Sequence, residues 1–204
     1  MRRAACTLLV FAGLGTPARA QVAVDLLAGV VWSSPLARDE IVAPLTVAPQ
    51  IAPSVALGAS MPLDARYRLG LRAGWARSQL VRREADQTTA ILPLNVWTGA
   101  LVVERSVARM ATAEARIGGM KYAPGSDAGG TIFQDDSPFA AVIGLGIRAY
   151  RTVGDRFLIG VHVGYDFHRF ETQALRSGGF TSGRTVHRVS VSAHVRWSAS
   201  REIP

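Results

Sequence analysis

Cysteine occurs once in the 204 residues, at Cys6. Charged residues make up only 19% of the chain, whereas about a quarter is usual for a soluble domain. After the first fifteen residues, no apolar run reaches the roughly 18 residues that a membrane-spanning helix requires. The chain is nevertheless 49% hydrophobic, with a mean hydropathy of +0.18. Its apolar residues are therefore dispersed over short segments, which favours alternating strands over membrane helices.

The N-terminus has the three parts of a secretory signal. Arg2 and Arg3 are basic, residues 8–14 are apolar, and residues 18–20 form an A-x-A cleavage site before Gln21. We predict a signal peptide at residues 1–20 and a mature domain at residues 21–204. Cleavage removes the only thiol, which excludes disulfides, cysteine metal sites and thiol catalysis in the mature chain. The loss of three arginines lowers the formal charge from +8 to +5.

Eight segments alternate between apolar and polar residues with a period of two, the pattern of half-buried β-strands. They span residues 22–32, 50–61, 66–79, 91–104, 107–121, 139–150, 156–170 and 188–197. Short turns separate them at residues 62–65, 105–106 and 152–155. Long loops occupy residues 33–49, 80–90, 122–138 and 171–185. In an antiparallel meander, this order places all the short turns at one end and all the long loops at the other.

The fourth segment is ambiguous because both of its faces are apolar. A two-residue turn at Arg105 and Ser106 places Glu104 opposite Val107 in a hairpin. This register predicts an apolar face and a polar face, with Leu94, Val96 and Val102 on the first and Asn95, Trp97 and Gly99 on the second.

Two kinds of eight-stranded barrel fit the pattern. A soluble periplasmic calyx turns its apolar face inward around a small apolar ligand, whereas a membrane barrel turns it toward lipid. The polar face is rich in glycine and carries both signs of charge, and such charges can be buried only if they are paired. Aromatic residues lie near both ends of the apolar face: Tyr67, Phe157 and Trp197 at the short turns, and Trp75, Phe139 and Phe167 toward the loops. These features favour the membrane barrel, with the calyx as the alternative.

The signal, the eight strands, the one-sided long loops and the aromatic final strand resemble the small outer-membrane barrels of the OmpA and OmpX type. The resemblance covers residues 22–197. The alternating Val191, Ala193, Val195 and Trp197 match the family's C-terminal signature, although seven residues follow the aromatic that usually ends such chains. The resemblance implies an eight-stranded antiparallel up-and-down transmembrane β-barrel in the outer membrane of a Gram-negative cell envelope. It also implies a monomer that the barrel-assembly machinery inserts.

Inside such a barrel, the sequence predicts a structural cluster of polar side chains. Its predicted members are Arg72, Glu114, Arg116, Arg148, His162, Asp166, His194 and Arg196. Two registers of the last hairpin place His162 opposite His194 or Ser192, and Asp166 opposite Arg188 or Ser190. A pair of histidines can bind a metal, but the favoured interpretation is a hydrogen-bonded interior. We therefore predict no metal, no cofactor and no catalytic residue.

The sequence favours a non-enzymatic protein, structural or surface-binding, with a lumen filled by paired charges and by Trp97, Met110 and Leu158. The second alternative is a lipid A-modifying barrel enzyme, because such enzymes use serine and histidine on this architecture. They place them toward lipid, whereas alternation here directs Ser190, Ser192 and His194 inward.

Basic residues near the predicted loop end suggest contacts with lipopolysaccharide phosphates, which the arginine fork suits. The candidates are Arg82, Arg83, Arg169, Arg176 and Arg184, with Lys121 beside them. The competing interpretation is ordinary solvated charge. No nucleic-acid partner is expected despite a pI near 10.9, because the chain is predicted to be exported and its arginines are spread over all strands.

Overall fold

The computed structural model describes residues 22–39, 45–84, 87–125, 132–133, 138–177 and 184–199. The predicted signal peptide and residues 200–204 lie outside these ranges, and the cleavage site stays a prediction. None of the described helices has the length and hydropathy to cross a membrane. The described elements are ten strands and one short helix: β1 (Ala23–Ser33), β2 (Ala37–Asp39), β3 (Leu45–Pro49), β4 (Ala52–Pro62), β5 (Tyr67–Glu84), β6 (Gln87–Ala108), β7 (Ala111–Pro124), β8 (Phe139–Val153), β9 (Phe157–Phe170), α1 (Gln173–Ser177) and β10 (Arg184–Ser198).

Eight of the strands close into an antiparallel ring. β1 pairs with β4, each strand from β4 to β10 pairs with the next, and β10 pairs with β1. The predicted eight-stranded up-and-down barrel is confirmed. The three short connections are at residues 63–66, 109–110 and 154–156. They lie at the same end of the barrel as the start of β1 and the end of β10.

The loop end has more regular structure than the sequence predicted. β2 and β3 form a small hairpin inside the predicted loop 33–49, and β3 pairs with the far end of β5. The predicted loop 80–90 is largely an extension of the β5–β6 hairpin, which runs to Glu84 and Gln87. The extension is stabilised by burial, because Leu80 and Leu92 pack against Leu36 and Val47 of the neighbouring segments.

The outward surface of the ring is apolar. On β8, for example, Ile143, Leu145 and Ile147 are exposed. Val142, just before them, and Arg148, just after them, are buried. The charged residues of the ring strands lie mainly inside. This distribution is the reverse of a soluble calyx, and it agrees with a barrel that faces lipid.

Aromatic side chains mark both ends of this apolar surface. Tyr67, Phe157 and Trp197 are exposed at the short-turn end, and Phe139 and Phe167 are exposed near the loop end. Trp75 of β5 and Trp97 of β6 lie opposite each other in the register, and the centroids of their rings are 6.2 Å apart. Aromatic belts of this kind occur at the two interfaces of membrane proteins.

The predicted register of β6 was wrong. The turn between β6 and β7 lies at Arg109 and Met110, with Ala108 opposite Ala111 and Glu104 opposite Glu114. Glu104, predicted to border the turn, is instead buried inside, with 2% of its surface exposed. A carboxylate on a spanning strand is tolerated where it meets buried cations, and this fixes the parity of the strand.

The faces of β6 are consequently exchanged. The apolar residues Leu94, Val96 and Val102 point into the barrel. Trp97, with 55% of its surface exposed, points outward, so the prediction that Trp97 fills the lumen was wrong. Met110 does not fill the lumen either, because it lies exposed in the turn. Leu158 is buried inside as predicted.

Candidate functional site: the barrel interior

The half of the interior nearest the short turns contains a network of charges, here called the charge cluster. It contains four carboxylates from four ring strands, four arginines that also come from four ring strands, and two histidines. The members are Asp25, Glu104, Glu114, Asp166, Arg72, Arg116, Arg148, Arg196, His162 and His194. All eight residues predicted to form the polar cluster are present, together with Asp25 and Glu104.

Glu114 is the most connected member. Both oxygens of its carboxylate accept hydrogen bonds from Arg72, at 2.7 Å from Nη1 and 2.8 Å from Nη2. Oε1 also accepts from Arg116 Nη1 at 2.6 Å and contacts His162 Nε2 at 2.9 Å. Arg148 Nη2 donates to Oε2 at 3.2 Å. One carboxylate thus links strands β5, β7, β8 and β9, and bidentate contacts of this type are the stronger ones.

A second centre forms around Arg196 on the last strand. Its Nε and Nη2 donate to the two oxygens of Asp25 at 2.8 and 3.1 Å, and Nη2 lies 2.6 Å from Glu104 Oε2. His194 Nε2 contacts Asp25 Oδ1 at 2.6 Å. Arg148 Nη1 donates to Glu104 Oε1 at 3.1 Å and so joins the two centres. These contacts neutralise charges whose burial would otherwise be strongly unfavourable.

Glycines on the inward face make the space for this network. A Cβ at Gly144 would collide with the Arg116–Asp166 ion pair, whose Nε–Oδ1 distance is 2.6 Å. A Cβ at Gly146 would lie 2.9 Å from Glu114 Oε1 and 2.8 Å from His162 Nε2. Eight strands leave little room beyond the side chains themselves, so small residues must face the large charged ones.

The half of the interior nearest the loops is apolar instead. Here called the apolar cluster, it is formed by Leu36, Val47, Leu80, Leu92, Leu94, Val96, Met120, Tyr122, Phe133, Val142, Phe170 and Val186. The ring of Phe170 packs edge to face against Tyr122 and Phe133, with centroid distances of 5.2 and 5.7 Å. The Tyr122 hydroxyl has a polar partner in His168 Nε2 at 2.7 Å. Sequence reasoning missed this cluster because the wrong parity of β6 placed Leu94 and Val96 on the outward face.

A cavity of about 100 Å³ lies where the two clusters meet. Its lining includes Arg72, Arg116 and His162 of the charge cluster, Val96 of the apolar cluster, and Arg188. The cavity thus has charged side chains toward one end of the barrel and hydrocarbon toward the other.

The two histidines of the charge cluster do not lie opposite each other in the last hairpin. In the register, His162 lies opposite Ser192, one of the two predicted arrangements, and His194 lies opposite Gly160. Each histidine binds a different carboxylate. Among the described residues, no group of three or more His, Cys, Asp or Glu side chains is placed to hold a metal ion.

The basic residues near the loops occupy several environments. Arg82 forms an ion pair with Glu84 at 2.6 Å, with both side chains about half exposed. Arg83 and Arg169 are exposed, and Arg184 is partly buried at the start of β10. The side chain of Arg176 lies outside the described residues. Lys121 is exposed on the outward face, opposite Trp97 in the register.

Along the membrane-spanning part of the ring, the described charged residues that point outward are all cations. Among the described residues of the ring strands, every carboxylate except Glu84 points into the barrel. The exposed outward cations lie near the strand ends: Arg77, Lys121 and Arg169 toward the loops, and Arg105 and Arg151 toward the short turns. Both ends therefore present positive charge to a membrane surface.

Comparison with known proteins gives a likeness of fold without a likeness of sequence. No family model and no curated protein sequence matches the chain. Among solved structures, the outer membrane protein AlkL in lipid bilayers aligns with a TM-score of 0.57 at 10% identity, covering 100% of this chain and 99% of AlkL.

Two further structures are similar. OprG of Pseudomonas aeruginosa aligns with a TM-score of 0.50 at 10% identity, covering 89% of this chain and 97% of OprG. The outer membrane protein Ail of Yersinia pestis in a lipid nanodisc aligns with a TM-score of 0.50 at 9% identity, covering 88% of this chain and 100% of Ail. All three are outer-membrane proteins. The chain therefore has the fold of the small eight-stranded outer-membrane β-barrels.

Proposed function

We propose that this protein is a non-enzymatic barrel of the outer membrane, structural or surface-binding, whose lumen does not conduct. The observation that supports the proposal is the pair of side-chain clusters inside the barrel. The charge cluster lies in the half nearest the short turns, and the apolar cluster lies in the half nearest the loops. Ions would have to displace paired charges and then cross a hydrocarbon layer.

Planar-bilayer recording tests the closed lumen. The purified protein is expected to give no large, stable channels at any applied voltage. A wide porin of 16–18 strands, reconstituted in the same way, serves as the positive control because its lumen holds an aqueous channel. Large, long-lived conductance steps from this protein would contradict the proposal.

The interior position of the hydroxyl and imidazole groups supports a non-enzymatic role. Ser192 and His194 are buried in the barrel, and His194 binds Asp25 rather than a serine. A lipid substrate on the outer surface is separated from both residues by the barrel wall.

The surface that we propose for binding is the loop end, with lipopolysaccharide phosphates as the ligands. Arg83 and Arg169 support this because they are exposed and have no ion-pair partner among the described residues. Arg82 is a weaker candidate, since Glu84 already binds it. Outward Lys121 adds charge beside the exposed Trp97. An arginine fork matches the geometry of phosphate oxygens.

Co-purification of lipopolysaccharide tests this partner. The Arg83→Ser, Arg169→Ser double variant is expected to lose most of the lipopolysaccharide that the native protein retains. The matched control is Arg105→Ser with Arg151→Ser, two exposed cations at the short-turn end. Equal retention by both double variants would show that the loop-end arginines are ordinary solvated charges.

A further inference from the structure

Arg188 is a buried cation whose neighbours do not balance its charge. It lies on the inward face of β10 with 6% of its surface exposed. Its Nη1 donates to the Met120 sulfur at 3.0 Å, and a thioether is a weak acceptor. Within the described residues, no carboxylate forms an ion pair with this guanidinium.

The carboxylate nearest in register forms its ion pair with a different arginine. Asp166 lies opposite Arg188 in the β9–β10 pairing, but its Oδ1 accepts from Arg116 Nε at 2.6 Å. Within the charge cluster, four carboxylates face four arginines. Arg188 is therefore a positive charge in excess of that balance.

An arginine cannot relieve this excess by losing its proton, because its guanidinium stays charged in proteins. Burial of a charge without a counter-charge is strongly unfavourable. A mobile counter-ion is the remaining way to balance the charge.

The cavity beside Arg188 has the lining that such an ion requires. Arg72, Arg116, Ser190 and Ser192 also line it, and Asp166 is the one carboxylate in its wall. The lining is therefore positive overall and contains hydroxyl donors. Its volume of about 100 Å³ is about three times the roughly 30 Å³ of liquid per water molecule, which is enough for one small anion with water.

The absence of a side chain at Gly164 brings two of these donors together. A Cβ there would lie 2.6 Å from Arg116 Nη2 and 2.7 Å from Ser190 Oγ. Both atoms therefore pack against the Gly164 backbone, and both residues also line the cavity. A guanidinium and a hydroxyl in the wall of one cavity are donors that suit an anionic oxygen or a halide.

We propose that this cavity binds a small inorganic anion, the size of chloride or phosphate, with Arg188 as the principal ligand. The inference concerns the interior of the barrel and does not depend on what the loops bind.

Urea unfolding of the full-length folded protein at constant ionic strength tests the site. Sodium chloride or sodium phosphate replaces sodium gluconate, whose six-carbon anion is too bulky for the cavity. An anion that binds only the folded state raises the folded-to-unfolded ratio by 1 + [anion]/Kd, about tenfold at ten times Kd. The native midpoint is therefore expected to rise in chloride, phosphate or both.

The variant Arg188→Met is expected to lose this rise. The matched control Arg184→Met changes the same residue type on the same strand, outside the cavity lining, and should keep it. Equal midpoints in all three salts, or an equal rise in Arg188→Met, would overturn the proposal.

A second measurement requires no variant. Crystals of the native protein grown in bromide should show an anomalous peak within hydrogen-bonding distance of the Arg188 guanidinium. The site would be refuted if the cavity showed no peak and the urea midpoint of the native protein also did not change with chloride or phosphate.

Discussion

Glu114 shows how much of the interior depends on a single side chain. It contacts three arginines and one histidine from four strands. Loss of its charge would leave these cations facing one another across a narrow space. Breaking a buried pair by removal of one partner is far more destabilising than the net value of the pair.

The variant Glu114→Gln is therefore expected to lower the free energy of unfolding by about 3–5 kcal/mol. Glu84→Gln is the matched control, because Glu84 also forms an ion pair at 2.6 Å but is half exposed. It should cost no more than about 1 kcal/mol. Urea titrations of both variants in lipid vesicles measure the difference, and similar losses would show that burial does not govern these pairs.

Eight of the ten members of the charge cluster were predicted from the sequence, but their partners were not. Strict alternation in the regions around Glu114, His162 and Arg196 directs these residues to one face, whatever the register. The pairings depend on which strands meet across the lumen. Asp25 and Arg196 are separated by 171 residues in the chain, and alternation within a strand carries no information about such contacts.

The β6 strand shows why parity is harder to predict than the existence of a strand. Both of its faces are apolar, so the sequence-based register depended on a turn placed at Arg105 and Ser106. The real turn lies at Arg109 and Met110, and a bulge between Ser106 and Ala108 adjusts the pairing. Glu104 was the informative residue, since a spanning carboxylate must meet cations inside.

Spin labels at two adjacent positions of β6 distinguish the registers. With Cys6 replaced by serine, a label at Val102→Cys should be shielded from oxygen dissolved in the bilayer, and one at Val103→Cys should be accessible. In the structure, Val102 is 3% exposed and Val103 is 38% exposed. The reverse accessibility would restore the register predicted from the sequence. Each residue serves as the control for its neighbour.

The small β2–β3 hairpin and the extended β5–β6 hairpin were not predictable from alternation. Their residues gain stability from burial against the apolar cluster, through Leu36, Val47 and Leu80. Tertiary contacts of this type override weak local preference.

At the scale of the whole molecule, the fold follows from the distribution of polarity over two faces. That pattern predicted eight spanning strands, their direction and the lipid-facing surface of every ring strand except β6. Exposed apolar side chains in a water-soluble protein and in a membrane barrel differ in their surroundings rather than in their exposure.

A pair of substitutions exploits that difference. Leu145, near the middle of β8, and Met110, in the β6–β7 turn, are both 60% exposed. Leu145→Arg should destabilise the barrel in lipid by about 2–4 kcal/mol, because it places a charge near the bilayer midplane. Met110→Arg should be nearly neutral, since the turn lies in water. Equal effects on the unfolding free energy in vesicles would argue against the membrane orientation.

The contacts of Arg196 also have a consequence for the order of folding. Arg196 lies on the last strand, and its partners Asp25 and Glu104 lie on the first ring strand and near the middle of the chain. Neither carboxylate has its full set of cations until β10 docks between β9 and β1. Closure of the ring and neutralisation of the interior are therefore one event, and a chain stalled before its final hairpin would expose unpaired acids. Contacts so distant in sequence form slowly, which makes this last step the natural bottleneck of assembly.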